Sequence, residues 1–159
     1  MATIDPDLIK WYRCQTWEEG STHGGDIDLN SEITTATDKN VFDDVEDAER
    51  QAGDTEYRKI YIRNENAETW PGVKLWIKTN TPAANDSIAI ALAVTNDDTQ
   101  QDAEGYTFYT PTSKDDADVL DIGDLAQNEY KGIWIKRVVS PADGDGYINN
   151  YFELQAENS

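Results

Sequence analysis

Cysteine is almost missing from this chain. Among 159 residues only Cys14 carries a thiol, so no intrachain disulfide can form, and a core of ordinary side chains must hold the fold. Basic residues are scarce as well: 13 Lys and Arg stand against 32 Asp and Glu, a formal charge of -19 with a pI of about 4.1. Phosphate neutralisation needs clustered Lys and Arg, so nucleic acid is excluded as a partner. The same repulsion excludes an anionic membrane surface. No apolar run approaches the length of a membrane span, and Met1 to Leu8 is polar, with Asp5 and Asp7 where a secretory leader would be apolar. A soluble product made in the cytoplasm is therefore expected, unless it leaves by assembly into something larger. Histidine occurs once, at His23, without companion zinc ligands or a recognisable nucleophile elbow, so it is read as a solvated loop residue.

What is present is a series of short strand patterns. Tyr57 to Ile62 combines aromatic and β-branched residues suited to a half-buried pleated surface, and Asn64-Glu65-Asn66 stops it. In 73–78, Val73, Leu75 and Ile77 point one way while Lys74, Trp76 and Lys78 point the other. From Ser87 to Val94, Ile88, Ile90, Leu92 and Val94 share a face and small residues share the opposite one. Further strands are expected at Lys10 to Trp17 (with Cys14 as a small core residue), from Asp26 onward, at Tyr106 to Tyr109, at Gly132 to Val139 and at Gly146 to Leu154. A hairpin-like connection at 141–146 joins the last two. The octet Glu46 to Gly53 reads either as one helical turn ending at Gly53 or as a loop crossing between sheets.

About eight short strands predict a single all-β domain over residues 1–159, with 1–9 as an N-terminal extension. The architecture is an antiparallel β-sandwich or jelly-roll-like barrel with long acidic loops at Thr95 to Gly105 and Thr112 to Gly123. Its core is expected to draw on Trp11, Val41, Phe42, Ile60, Ile62, Val73, Leu75, Ile77, Ile88, Ile90, Leu92, Ile133, Ile135 and Phe152.

Mean hydropathy is -0.73, yet five Trp and eight Tyr spread along the chain argue against disorder. Aspartate outnumbers glutamate, lysine is scarce, and acidic residues occupy almost every loop. This global bias fits adaptation to high salt, where screening suppresses repulsion among dense carboxylates.

Carboxylate neighbours such as Glu18-Glu19, Asp43-Asp44, Asp97-Asp98 and Asp115-Asp116 could serve general acid and base chemistry. In so acidic a chain they arise without a site, and adjacent strand residues face opposite ways. No enzyme is expected. The loop Asp143-Gly144-Asp145-Gly146-Tyr147 resembles the opening of a calcium loop but fails its later positions. Asp143 and Asp145, with Asp116 and Asp118, are the weak metal candidates; no cofactor is expected beyond a possible structural cation. Trp11, Trp17, Trp70, Trp76 and Trp134 could form a sugar-stacking platform, with Trp70, Trp76 and Trp134 the three to test, while Trp70, Trp76, Lys74 and Lys78 are the expected partner-contact residues.

One series of segments has a family look. Gly24-Gly25-Asp26-Ile27, Asn40-Val41-Phe42-Asp43-Asp44-Val45, Ala48-Glu49, the run Gly53 to Asn64 and the Ser87 to Ile90 strand together resemble a group of small virion structural proteins of tailed viruses. The resemblance covers about residues 10 to 94 and fades in the acidic C-terminal third. It is structural and carries over no catalytic residue. With the acidic surface, it implies a tailed virus of a halophilic archaeal host. The role it implies is capsid decoration or cementing, on the capsid surface, with the major capsid protein and further copies of the chain (dimer or trimer) as partners. The alternatives are a head-completion, tail or baseplate component, or a carbohydrate-binding adhesion module of the virion.

Overall fold

The computed structural model describes residues 3–34, 41–43, 45–80, 86–141 and 152–158. Eight strands and two short helices build an all-β domain of two antiparallel sheets. The strands are β1 (Ile9–Thr16), β2 (Gly24–Ile33), β3 (Asp54–Asn64), β4 (Trp70–Thr79), β5 (Asp86–Leu92), β6 (Leu120–Leu125), β7 (Tyr130–Val139) and β8 (Glu153–Asn158); the helices are α1 (Asp47–Ala52) and α2 (Gln100–Ala103). One sheet runs β2-β1-β3-β7-β5 and the other β6-β4-β8. From β3 onward the chain alternates between them, so the three successive strands read from the sequence do not lie side by side. β4 leaves for the smaller sheet, and β5 returns to the far edge of the larger one.

Every residue foreseen for the core lies in the apolar cluster between the sheets or packs against it, joined by Trp70, Leu120 and Leu125. Full burial of its large side chains is worth about 1.5–3 kcal/mol each, the dominant favourable contribution to this fold. β3 departs from the half-buried expectation: all seven residues from Tyr57 to Arg63 except Arg63 are buried, on both faces. The outer face of the larger sheet is covered by α2 and the chain around it. Ala103, Tyr106 and Phe108 pack there on Tyr57, Trp134, Ala91 and Ala93. The small residues alternating along β5 leave room for that cover.

The acidic loops are correspondingly less simple than read. The first contains α2, whose Thr99 and Asp102 form a capping box. The second ends where β6 begins, at Leu120 rather than after Gly123, because Leu120 and Leu125 reach the core. Tyr106 to Tyr109 is not a strand; it makes one isolated bridge, Tyr109 to Ile90. The 46–53 segment is the helix α1, capped by reciprocal bonds between Glu46 and Glu49. Gly53 ends it at φ 79°, with the Pro141 ring 2.9 Å from where a β-carbon would stand. At the N-terminus Ile4 packs on the core and the Asp5 amide bonds Asn66 Oδ1 at 2.9 Å. Residues 142–146 of the expected connection, Asp143 and Asp145 among them, lie outside the described residues. No helix among the described residues is long and apolar enough to cross a membrane.

Candidate functional site

Strand alternation sends Glu56 and Arg58 of β3 to one face of the larger sheet and Tyr57, Lys59 and Tyr61 to the other. β7 pairs with β3 so that Glu56 stands opposite Arg137, and Lys59 opposite Trp134. Two buried charged networks result, back to back across the same two strands.

The outer network centres on Lys59 and Asp98. The ammonium lies 2.7 Å from Asp98 Oδ1, and both side chains are all but inaccessible. Lys59 Nζ also faces the carbonyls of Gly25 at 2.9 Å, Asn96 at 3.1 Å and Thr95 at 3.2 Å. Asp98 accepts further bonds from Tyr106 Oη at 2.7 Å, the Val94 amide at 3.0 Å and Trp134 Nε1 at 3.1 Å. Burial pushes Asp98 upward, but the Lys59 and Tyr106 hydrogen bonds and the Lys59 charge outweigh it and hold the carboxyl below its ordinary value. Gly24 is required at this point: at φ 136° its β-carbon would stand 2.5 Å from Asp98 O.

His23 joins this network and is not the solvated loop residue expected. It is fully buried, with Nδ1 donating to Trp17 O at 3.0 Å and Nε2 accepting the Lys59 amide at 2.9 Å. Burial lowers its pKa to about 4, assisted by the Arg58 charge. Cys14 Sγ is 3.6 Å from His23 Nε2, but burial pushes the thiol up to about 11. A neutral thiol beside a neutral imidazole whose acceptor nitrogen is taken by an amide is not an activated nucleophile. Cys14 is the core residue the sequence suggested.

The inner network closes one end of the sandwich core. Arg137 bonds Glu56 through one terminal nitrogen and Asp43 O at 2.8 Å through the other. Arg58 reaches Glu19 Oε1 at 2.6 Å, Asp43 Oδ1 at 3.4 Å and Val41 O at 3.1 Å. The Phe42 ring lies against both guanidinium groups, 5.0 Å from Arg58 Cζ and 4.8 Å from Arg137 Cζ, and meets Phe152 edge-on. Arg137 Nε is buried with no hydrogen-bond partner among the described residues. Burial, then the hydrogen bond to Glu19, pushes Glu56 up to about 8 despite the Arg137 charge; Glu19, receiving that bond, is lowered. Burial thus favours the neutral form of Glu56.

Oxygens of Glu19, Asp43 and Glu56 converge within 4.8 Å, as do those of Glu49, Asp54 and Glu56. Arg58 pairs with Glu19 and Asp43, and Arg137 with Glu56, so the guanidinium groups compete with any cation for these oxygens. Among the described residues Asp116 and Asp118 form no such group: Asp116 accepts the amides of Thr112 and Asp118 within its own turn. Trp70 and Trp76 are buried rather than exposed, Trp70 within the core cluster and Trp76 outside it. Lys74 and Lys78 face Asp121 at 3.1 Å and Glu153 at 3.7 Å. Trp134 is inaccessible too, so the three tryptophans form no sugar platform. Three residues of the two networks, Glu19, Asp43 and Asp98, came from carboxylate neighbours visible in the sequence. Arg58, Lys59 and Arg137 did not, although basic residues inside the two most apolar strands were the available signal.

Compared with known proteins, the chain matches no family model, no curated protein and no solved structure.

Proposed function

We propose that this chain is a non-enzymatic structural protein of a viral particle, acting as a decoration or cement protein on the shell. The observation that carries the reading is the fate of its few cations. Arg58, Lys59 and Arg137 are withdrawn into the interior with only Glu56 and Asp98 buried beside them, which leaves the outside strongly acidic. A rigid two-sheet body with such a surface suits repeated docking at high salt, where screening removes repulsion and apolar burial supplies the attraction. Each docked copy stabilises the assembly by mass action, and symmetry multiplies the effect.

With Trp70 and Trp76 buried, contact residues move to the exposed apolar side chains Leu29 and Val94, 53% and 70% accessible, and to Tyr109. The test is reconstitution onto shells lacking the protein. Hundreds of copies per particle, with raised resistance to heat and low salt, support decoration. Six or twelve copies point to a connector or tail ring. Depleted shells as robust as complete ones contradict cementing.

A further inference from the structure

We propose that the space between β3 and the 94–98 turn is a monovalent-cation site that the chain fills with its own Lys59 ammonium, and that it takes up a potassium ion once that ammonium is removed. Among the described residues four oxygens face Lys59 Nζ: Asp98 Oδ1 at 2.7 Å and the carbonyls of Gly25 at 2.9 Å, Asn96 at 3.1 Å and Thr95 at 3.2 Å. An ammonium has three hydrogens to give, so the cage holds more acceptors than its hydrogen bonds can serve and answers to charge, as an ion site does. The Tyr61 and Trp134 rings stand 5.1 Å and 5.9 Å from Nζ, and their faces favour a cation as well.

The walls of the cage are bonded to one another and hold their shape without Lys59. Tyr61 Oη lies 2.8 Å from Gly25 O and 3.0 Å from Asn96 O, and the Gly25 amide donates to Asp98 O at 3.0 Å. The Asp98 carboxylate is fixed by Tyr106 Oη, the Val94 amide and Trp134 Nε1. Thr95 and Asn96 are exposed, so the turn that supplies two of the carbonyls also gives an ion its way in from solvent. On the sheet side the Lys59 stem passes Gly132, where a β-carbon would stand 3.0 Å from Lys59 Cε. A shortened stem there leaves room for an ion and its remaining waters.

The geometry also selects the ion. Separations of 2.7 to 3.2 Å are longer than the about 2.3–2.6 Å of calcium sites and the about 2.0–2.1 Å of magnesium sites. One carboxylate and three neutral carbonyls bring a single negative charge, which one positive charge balances. Carbonyl oxygens grouped in this way replace the hydration shell of potassium. The wild-type chain therefore carries its cation on a covalent tether, and this corner of the fold is indifferent to which cation the surrounding salt supplies.

Melting temperatures are to be compared for wild type, Lys59→Ala, Lys59→Ser and Lys59→Met in potassium, sodium and choline chloride at one ionic strength of about 1 M, so that surface screening is the same in all three. Measured against wild type in the same salts, Lys59→Ala should melt about 5 °C higher in potassium than in choline chloride, with sodium between them. Lys59→Met, whose side chain fills the space, should show no such difference. Equal melting of Lys59→Ala in potassium and choline chloride would overturn the site, and sodium equal to or above potassium would overturn the choice of ion. Should Lys59→Ala not fold, Lys59→Ser, whose hydroxyl adds an oxygen to the cage, is read in its place. Both variants unfolded in potassium would overturn the proposal too, since the free ion would then have failed to replace the tethered one.

Discussion

The two networks behind β3 differ in one respect that orders everything else about them. Around Lys59 and Asp98 one positive and one negative charge meet, each surrounded by dipoles of the right sense, and the pair is dry on all sides. Around Glu56 the described residues bring five carboxyls to two guanidinium groups, Arg137 Nε lacks a partner among them, and Glu19 and Asp43 open to solvent. The balanced pair sets each charge against its opposite. In the unbalanced cluster burial pushes Glu56 toward its neutral form. Burial alone therefore does not fix the state of an ionisable group; the local sum of charges and hydrogen bonds does.

The largest expected effect comes from splitting the balanced pair. Lys59→Met strands a carboxylate that cannot reach water and should cost about 3–5 kcal/mol in urea unfolding. The double variant Lys59→Met with Asp98→Leu should recover much of that loss. A double variant as unstable as the sum of its singles would deny that stranded charge is the cause.

Arg137→Met should cost less, about 1–3 kcal/mol, because burial already pushes its partner Glu56 toward the neutral form, which needs no counter-charge. If the two cation deletions cost the same, the contrast between the networks fails at this point.

A third, smaller effect concerns pH. The folded state raises Glu56 from 4.5 to about 8, so its contribution is complete below about pH 4.5 and disappears as pH rises through 8. His23 is lowered from 6.5 to about 4, so its contribution is complete above about pH 6.5 and disappears as pH falls through 4. Stability should therefore peak on the acid side of neutrality, and Glu56→Gln should flatten the decline above it. Thermal unfolding across this pH range checks both limbs; a wild-type maximum above about pH 8 would be inconsistent with the Glu56 proton.

The mildest expected change is with salt. Surface repulsion acts over ~30 Å at 0.01 M and ~3 Å at 1 M ionic strength, so stability should rise between these conditions. The rise should be equal in wild type and in the Lys59→Met/Asp98→Leu double variant, since the buried pair is not screened. A salt response that vanishes in the double variant would place its origin inside rather than on the surface.

Much of the fold was legible because it rests on periodicity. Alternation in β4, β5 and β7 fixed their inward faces, and all the foreseen core residues lie in or against the core. What escaped was the second cover on the larger sheet. Its apolar residues, Ala103, Tyr106 and Phe108, sit in a segment too irregular to show a period, so Tyr106 to Tyr109 read as a strand and β3 as half-buried. The networks were hidden for a related reason. In a chain with acidic residues in almost every loop, Asp98 and Glu19 look like ordinary surface charge. Only their convergence on three basic side chains sets them apart, and convergence between β3, β7 and distant loops has no local signature. His23 misled in the same way: flanking glycines suggested an open loop, whereas Gly24 serves close passage beneath Asp98.

The most direct test of the contrast is a carboxyl titration by carbon-13 NMR on the uniformly labelled protein, followed at Asp98 and Glu56 together. The account predicts that Asp98 titrates below its ordinary value and Glu56 at about 8, well separated in one sample. Titration of both near their ordinary values, or of Asp98 above Glu56, would contradict it.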